Sequence, residues 1–212
     1  QHQRDKGNRM AEFEYLDFDR EIWEKELEDF VPPIVYDMHS HIWSEAHAPP
    51  GGKAKGLRAP QDYQSHLDWA ANLYPGREMH YLILGTPVVG MDAEGHNDWM
   101  AQQMAADPES AVNMAVTPQM SAKYVAAQVK KHNFLGLKPY RTFAPDPAEA
   151  RIRDFLPEHL IEVAHDMGLA ITMHLAKKKG IADPENQQDL ARYTREYPRA
   201  QWILAHCARA FN

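Results

Sequence analysis

Four histidines of this chain stand where a metal ion or a proton-transfer group could be gathered. His39 and His41 lie in Asp37-Met38-His39-Ser40-His41, His174 closes Leu169-Ala170-Ile171-Thr172-Met173-His174, and His206 closes Gln201-Trp202-Ile203-Leu204-Ala205-His206. Each sits at the downstream end of a short apolar run. In a barrel of parallel strands those ends converge on one mouth, where catalytic side chains collect. Alternate residues of a strand face the same way and advance by roughly 6.6 Å. Asp37, His39 and His41 are therefore expected on one face, with Asp37 one layer deeper. Two imidazoles stacked in this way can both turn a ring nitrogen onto one divalent ion at about 2.0 to 2.1 Å.

The motif alone is weak. With 12 histidines in 212 residues, roughly 0.7 His-x-His pairs are expected by chance. Position strengthens it: Pro32-Pro33 stops what precedes, Ile34-Val35-Tyr36 reads as a buried strand, and the histidines follow.

The elements that would carry these groups alternate along the chain. Strands are predicted near 34–38, 80–85, 111–116, 134–138, 169–174 and 201–206, with helices around 62–73, 97–106, 121–132, 157–167 and 184–197. An opening helix over 17–27 begins with acidic residues and keeps Trp23 and Leu27 on one stripe. The repeated βα units, with strands apolar throughout, imply a parallel sheet covered on both faces, either a barrel or a doubly wound sheet. No G-x-G-x-x-G or P-loop turn follows any strand, and the histidines favour the α/β barrel of TIM type. Residues 1–30 are read as a polar segment and helix, and 31–212 as six βα units of a partial barrel.

Composition narrows the partners. A chain with 44% apolar and 25% charged residues can build one sizeable core. Its net charge of -7 and lack of a basic stripe argue against nucleic acid. No apolar run approaches the roughly 20 residues of a spanning helix, so no membrane partner is expected. A small-molecule substrate is expected instead, a homo-oligomer is compatible with the sequence, and a cytoplasmic location is the default. The one cysteine, Cys207, excludes an internal disulfide and is read as a buried structural thiol. Lys177-Lys178-Lys179 is read as a solvated loop. The segment 44–61, rich in Pro, Gly and Ala and without periodicity, is read as a loop over the mouth.

The residues quoted above, together with Gly136-Leu137-Lys138 at the fourth strand, resemble the amidohydrolase superfamily, specifically its amidohydrolase-related branch containing lactonases and decarboxylases of unsaturated or aromatic acids. Asn97-Asp98-Trp99 and Val116-Thr117-Pro118 are also similar to that branch. The resemblance covers about 17–212. It implies that His39, His41 and His174 bind a divalent metal, Zn before Mn, and that His206 acts as acid, base or further ligand. The chemistry agrees: a bound divalent ion with an open position lowers the pKa of its water to about 7 and polarises a carbonyl.

Lys138 carries two readings under the resemblance: carboxylated and bridging two metals, or cationic and holding a substrate carboxylate. Arg141 offers a second fork for a carboxylate or lactone substrate. Asp37 is expected to need a partner, whether metal, Lys138 or a ligating imidazole. The family closes its barrel with eight strands and takes an aspartate from the eighth, whereas this sequence stops after the sixth. A fragment, or a barrel completed by another polypeptide, is expected. The functional expectation is a metal-dependent hydrolase of an amide, ester or lactone bond, with a non-hydrolytic decarboxylase or a silent binding module as alternatives.

Overall fold

Six parallel strands lie side by side in chain order: β1 (Ile34–Ile42), β2 (Glu78–Gly85), β3 (Ala111–Val116), β4 (Gly136–Pro139), β5 (Ala170–Met173) and β6 (Gln201–Leu204). A computed structural model describes residues 15–49 and 61–210. The helices are α1 (Asp17–Ile22), which runs into a π-helical turn at Trp23–Leu27, α2 (Tyr63–Leu73), α3 (Ala93–Met104), α4 (Ala122–His132), α5 (Ile152–Phe155), α6 (Glu158–Met167) and α7 (Pro184–Glu196). Every neighbouring pair is parallel and joined through at least one helix, so the architecture is an α/β half-barrel of TIM type.

Local chemistry fixes the helix ends. Ser121, Asp92 and Asp183 accept backbone N–H bonds at the starts of α4, α3 and α7, and Pro184 occupies the first turn of α7. Asn133 and Gly168 end α4 and α6 in the left-handed conformation. Asp92 explains why α3 begins at Ala93, four residues before the start expected from its apolar spacing. The core fills the space between the sheet and these helices, where Ile83, Leu137, Ile171, Leu160 and Ile161 are fully buried. Each such side chain contributes about 1.5 to 3 kcal/mol by leaving water.

The expectation of a sheet covered on both faces holds for the central strands only. On the edge strands Ile34, Tyr36, Met38 and Ile203 stay 41 to 53% exposed. The opening helix is also split: α1 is short, and the π turn buries Trp23 edge-on against Tyr74 and under the Arg77 guanidinium. Of the segment 44–61, Glu45–His47 forms a 3-10 turn and Gln61 pairs with Trp43, while 50–60 lie outside the described residues, as does the polar start, 1–14. No helix among the described residues is long and apolar enough to cross a membrane.

Candidate metal and substrate site

β1 runs on to Ile42, so His39 and His41 lie inside the strand. Its register with β2 slips between Asp37 and Ser40: Asp37 pairs with Tyr81, Ser40 with Ile83 and His41 with Leu84. Partners in a parallel register face the same side, so this bulge puts Asp37 on the side of Tyr81 and Ile83 and His41 on the opposite side, with Leu84. The expectation that Asp37 shares the face of the histidines is corrected by that one-residue insertion. Asp37 is exposed and forms part of the wall of an apolar cavity of about 560 Å³ that also contains Tyr15, Trp69, Tyr74 and Tyr81. Its carboxylate accepts from the His39 backbone N–H at 2.9 Å and the Ser40 hydroxyl at 2.7 Å. Asp37 therefore finds its partners in its own strand, and no ion pair joins it to Lys138.

The four histidines come together. Ring centroids are 5.2 Å apart for His39 and His41, 4.9 Å for His39 and His206, and 5.1 Å for His174 and His206. Two imidazoles bound to one tetrahedral ion at about 2.0 to 2.1 Å per bond would have centroids roughly 5.2 Å apart. Each of these pairs is therefore spaced as two ligands of one divalent ion would be, with His174 joined to His39 and His41 through His206. The ring nitrogens are not turned onto one point: among the described residues, no three or more His, Cys, Asp or Glu side chains stand in metal-holding geometry.

The surroundings favour neutral imidazoles, the form that can ligate. Burial, with Lys138 as the next contributor, depresses His41 and His174 to about 4, and the same two causes lower His39. Nδ1 of His41 faces the Gly85 carbonyl at 3.3 Å, and the Tyr140 hydroxyl donates to that same oxygen. With Nδ1 donating there, Nε2 of His41 is left with its lone pair.

Lys138 follows Gly136 and Leu137 in β4 and is 1% exposed. Its ammonium lies 4.7 Å from the centre of the Tyr140 ring, and no carboxylate pairs with it among the described residues. Burial lowers it to about 8. Below it, Asn113 donates to Thr172 at 2.8 Å across the barrel floor. Gly136 makes room for this contact, since a Cβ there would lie 2.8 Å from Asn113 Oδ1 and 2.3 Å from the Ala170 carbonyl.

Arg141 starts the 3-10 turn Arg141–Phe143 after β4 and donates to the Pro147 carbonyl at 3.1 Å. Sequence reasoning missed Tyr140 and Arg209. Arg209 ends a turn, His206–Arg209, in which all four residues hold φ between 50° and 58°. Such backbone costs about 1 to 2 kcal/mol per L-residue, and no sequence signal without glycine announces it. The turn leaves Cys207 exposed, where a buried thiol was expected. Lys177 also departs from its expected solvated state: it is 8% exposed and its ammonium pairs with Glu185.

A comparison with curated proteins finds no match. Among solved structures the chain is similar to 5-carboxyvanillate decarboxylase LigW from Sphingomonas paucimobilis, at 16% identity and a TM-score of 0.49 over 84% of this chain and 69% of that one. It is also similar to dihydroorotase from Campylobacter jejuni, at 14% identity and 0.45 over 79% and 45%. A third is a probable 2-pyrone-4,6-dicarboxylic acid hydrolase from Acinetobacter baumannii, at 16% and 0.38 over 74% and 65%. The Amidohydrolase family model matches residues 36–211, and the chain belongs to that family.

Proposed function

We propose that this chain is the metal-binding part of a metal-dependent hydrolase acting on an amide, ester or lactone bond of a small carboxylated molecule. The observation that carries this reading is the cluster of His39, His41, His174 and His206, with successive centroids 4.9 to 5.2 Å apart and no carboxylate paired with the buried Lys138 among the described residues. His39, His41 and His174 hold the ion, Zn before Mn, because their surroundings keep them in the neutral, ligating state. When bound, the ion supplies an acidified water and a polarised carbonyl.

The chain's own residues do the rest. His206 comes from the far edge of the sheet to stand beside His39 and His174 and moves the proton between water and leaving group, as an imidazole can. Lys138, cationic below about pH 8, holds a substrate carboxylate, and Arg141 adds a guanidinium at the rim. Asp37 supports the site through the backbone of His39, at the bulge that re-aims the two histidines.

Decarboxylation without water is the second reading, favoured by the same uncompensated cations, which would hold a carboxylate in place for loss of carbon dioxide. Metal analysis and product analysis test both. Stoichiometric metal that is lost in His39→Ala supports the enzyme, and a metal-free wild type that still binds carboxylates favours a silent binding module. Release of carbon dioxide, in place of two fragments with water added, selects the decarboxylase.

A further inference from the structure

The mouth of the half-barrel holds more positive charge than the proposed reaction uses. Lys138 lies at the end of β4, Arg141 two residues after that strand and Arg209 after β6; Arg209 donates to the Lys177 carbonyl, the Lys177 N–H donates to the Ala148 carbonyl at 2.9 Å, and Arg141 donates to the adjoining Pro147 carbonyl, so both arginines are anchored along one seam. None of the three forms an ion pair with Asp or Glu among the described residues, although the chain has 30 acidic residues against 23 Lys and Arg. Other cations of low or partial exposure are paired, Arg151 with Asp189, Lys177 with Glu185 and Arg192 with Glu158, although Arg77 is held by backbone carbonyls instead. Like charges gathered without a counter-ion cost free energy unless an anion joins them.

The two guanidiniums are held in the same manner. Nη1 of Arg209 donates to the carbonyls of Leu175, at 3.2 Å, and Lys177, at 2.9 Å, in the segment just after His174. Nη1 of Arg141 donates to the Pro147 carbonyl. Each arginine is thereby anchored through one nitrogen, and its remaining donors are uncommitted among the described residues. A fork fixed at one prong and free at the others is suited to a planar carboxylate. The left-handed turn that delivers Arg209 packs on Gly180, where a Cβ would lie 2.6 Å from the Arg209 carbonyl. Beside Arg141, Tyr140 and Phe143 stand edge to face with centroids 6.4 Å apart and give the mouth an aromatic wall.

We infer that Arg141 and Arg209 form a second carboxylate seat at the mouth, separate from Lys138, so that the site selects a dicarboxylate, with Arg209 as the residue that sets the preference for two carboxylates over one. This rests on the proposed function for the location of the reacting centre and for Lys138 as the first carboxylate seat.

The test is calorimetric binding to the full chain of two aromatic probes, benzene-1,3-dicarboxylate and benzoate, with the metal content of each sample measured in parallel. The wild type is expected to bind the dicarboxylate at least about tenfold more tightly than the monocarboxylate. Arg209→Met should bring the two within about twofold while leaving benzoate unchanged. If Arg209→Met unfolds, Arg209→Gln keeps a donor for the two carbonyls, removes the charge and should give the same loss. Equal affinities in the wild type, or a preference that survives in the variant that folds, overturn the inference. Metal present without the preference removes the dicarboxylate seat and leaves the hydrolase standing. The preference without metal does the reverse.

Discussion

His39 and His206 belong to the segments of β1 and β6, the two edges of the open sheet, yet their ring centroids are 4.9 Å apart. Twist and curl of six parallel strands bring the edges together at the mouth, while Tyr36 and Ile203 on those same edge strands stay half exposed. A metal held there would be bound by both edges at once and would tie the half-barrel shut. Divalent metal is therefore expected to raise the melting temperature of the wild type, and His206→Ala to reduce that gain by more than His159→Ala on α6, where the His159 ring faces the Met120 carbonyl before α4. Equal shifts in both variants would break the link between His206 and the ion.

Tyr140 is expected to act through His41. Its hydroxyl shares the Gly85 carbonyl with His41 Nδ1, so it helps to fix which nitrogen of that ring is free. Tyr140→Phe should weaken metal binding by about 10- to 100-fold, as loss of an outer partner does in metal sites generally. Competition with a chelator measures this. An unchanged affinity would show that the Gly85 carbonyl alone orients the ring.

Lys138 makes a prediction about pH with a definite sign. Burial lowers its folded pKa from 10.5 to about 8, so between those values the unfolded chain binds a proton that the folded chain does not. Stability then rises with pH across that window, and the protonated lysine costs the fold up to about 3 kcal/mol at neutral pH. Lys138→Met should remove the cost, raise the melting temperature at pH 7 and flatten the difference between pH 8 and 10. A variant less stable than the wild type at pH 7 would mean that the ammonium has an anionic partner.

What the sequence revealed and what it hid follow from the range of the interactions involved. Strand and helix order, the parallel sheet and the meeting of His39, His41, His174 and His206 rest on local apolar runs and on the convergence of strand ends, both legible residue by residue. The face of Asp37 was misread because a single inserted residue in β1 reverses the alternation, and the pairing with β2 that creates the bulge is not local. Arg209 was invisible for a related reason: its position depends on four left-handed residues that contain no glycine, held by packing against Gly180. Lys177 was read as solvated from its neighbours in a basic run, whereas its partner Glu185 lies in α7.

At the opposite end of the barrel, Asp107 gathers β2 and β3. It accepts from the hydroxyls of Tyr63 and Ser110 and from the Glu109 backbone, and His80 places Nδ1 3.0 Å from it, with Nε2 3.2 Å from Glu78. Burial would raise the Asp107 carboxyl, but bonds from Ser110, Tyr63 and His80 outweigh it and hold the group well below its usual range, while Asp107 raises His80. The carboxylate's contribution is present above its unfolded pKa and lost as pH falls through the folded value. That of His80 is present below about 6.5 and lost as pH rises through its raised pKa. Asp107→Asn should cost about 2 kcal/mol near pH 6 and less toward pH 2, read from denaturant unfolding. A cost independent of pH would assign the effect to packing.

Gly180→Ala tests whether the left-handed turn is what delivers the distal groups. Gly180 holds φ +51°, and a Cβ would lie 2.6 Å from the Arg209 carbonyl and 2.7 Å from that of Ala208. Backbone atoms cannot rotate away, so the substitution must displace the turn, at a cost of about 1 to 3 kcal/mol. Gly168→Ala is the control: it also substitutes a left-handed glycine, but with nothing within 4 Å of the added Cβ, so it should lose stability through backbone strain alone. Gly180→Ala is expected to lose turnover and dicarboxylate preference together, because the same backbone carries His206 and Arg209, whereas Gly168→Ala keeps both. If Gly180→Ala retains wild-type binding at matched folded fraction, the turn is not the element that positions those two side chains.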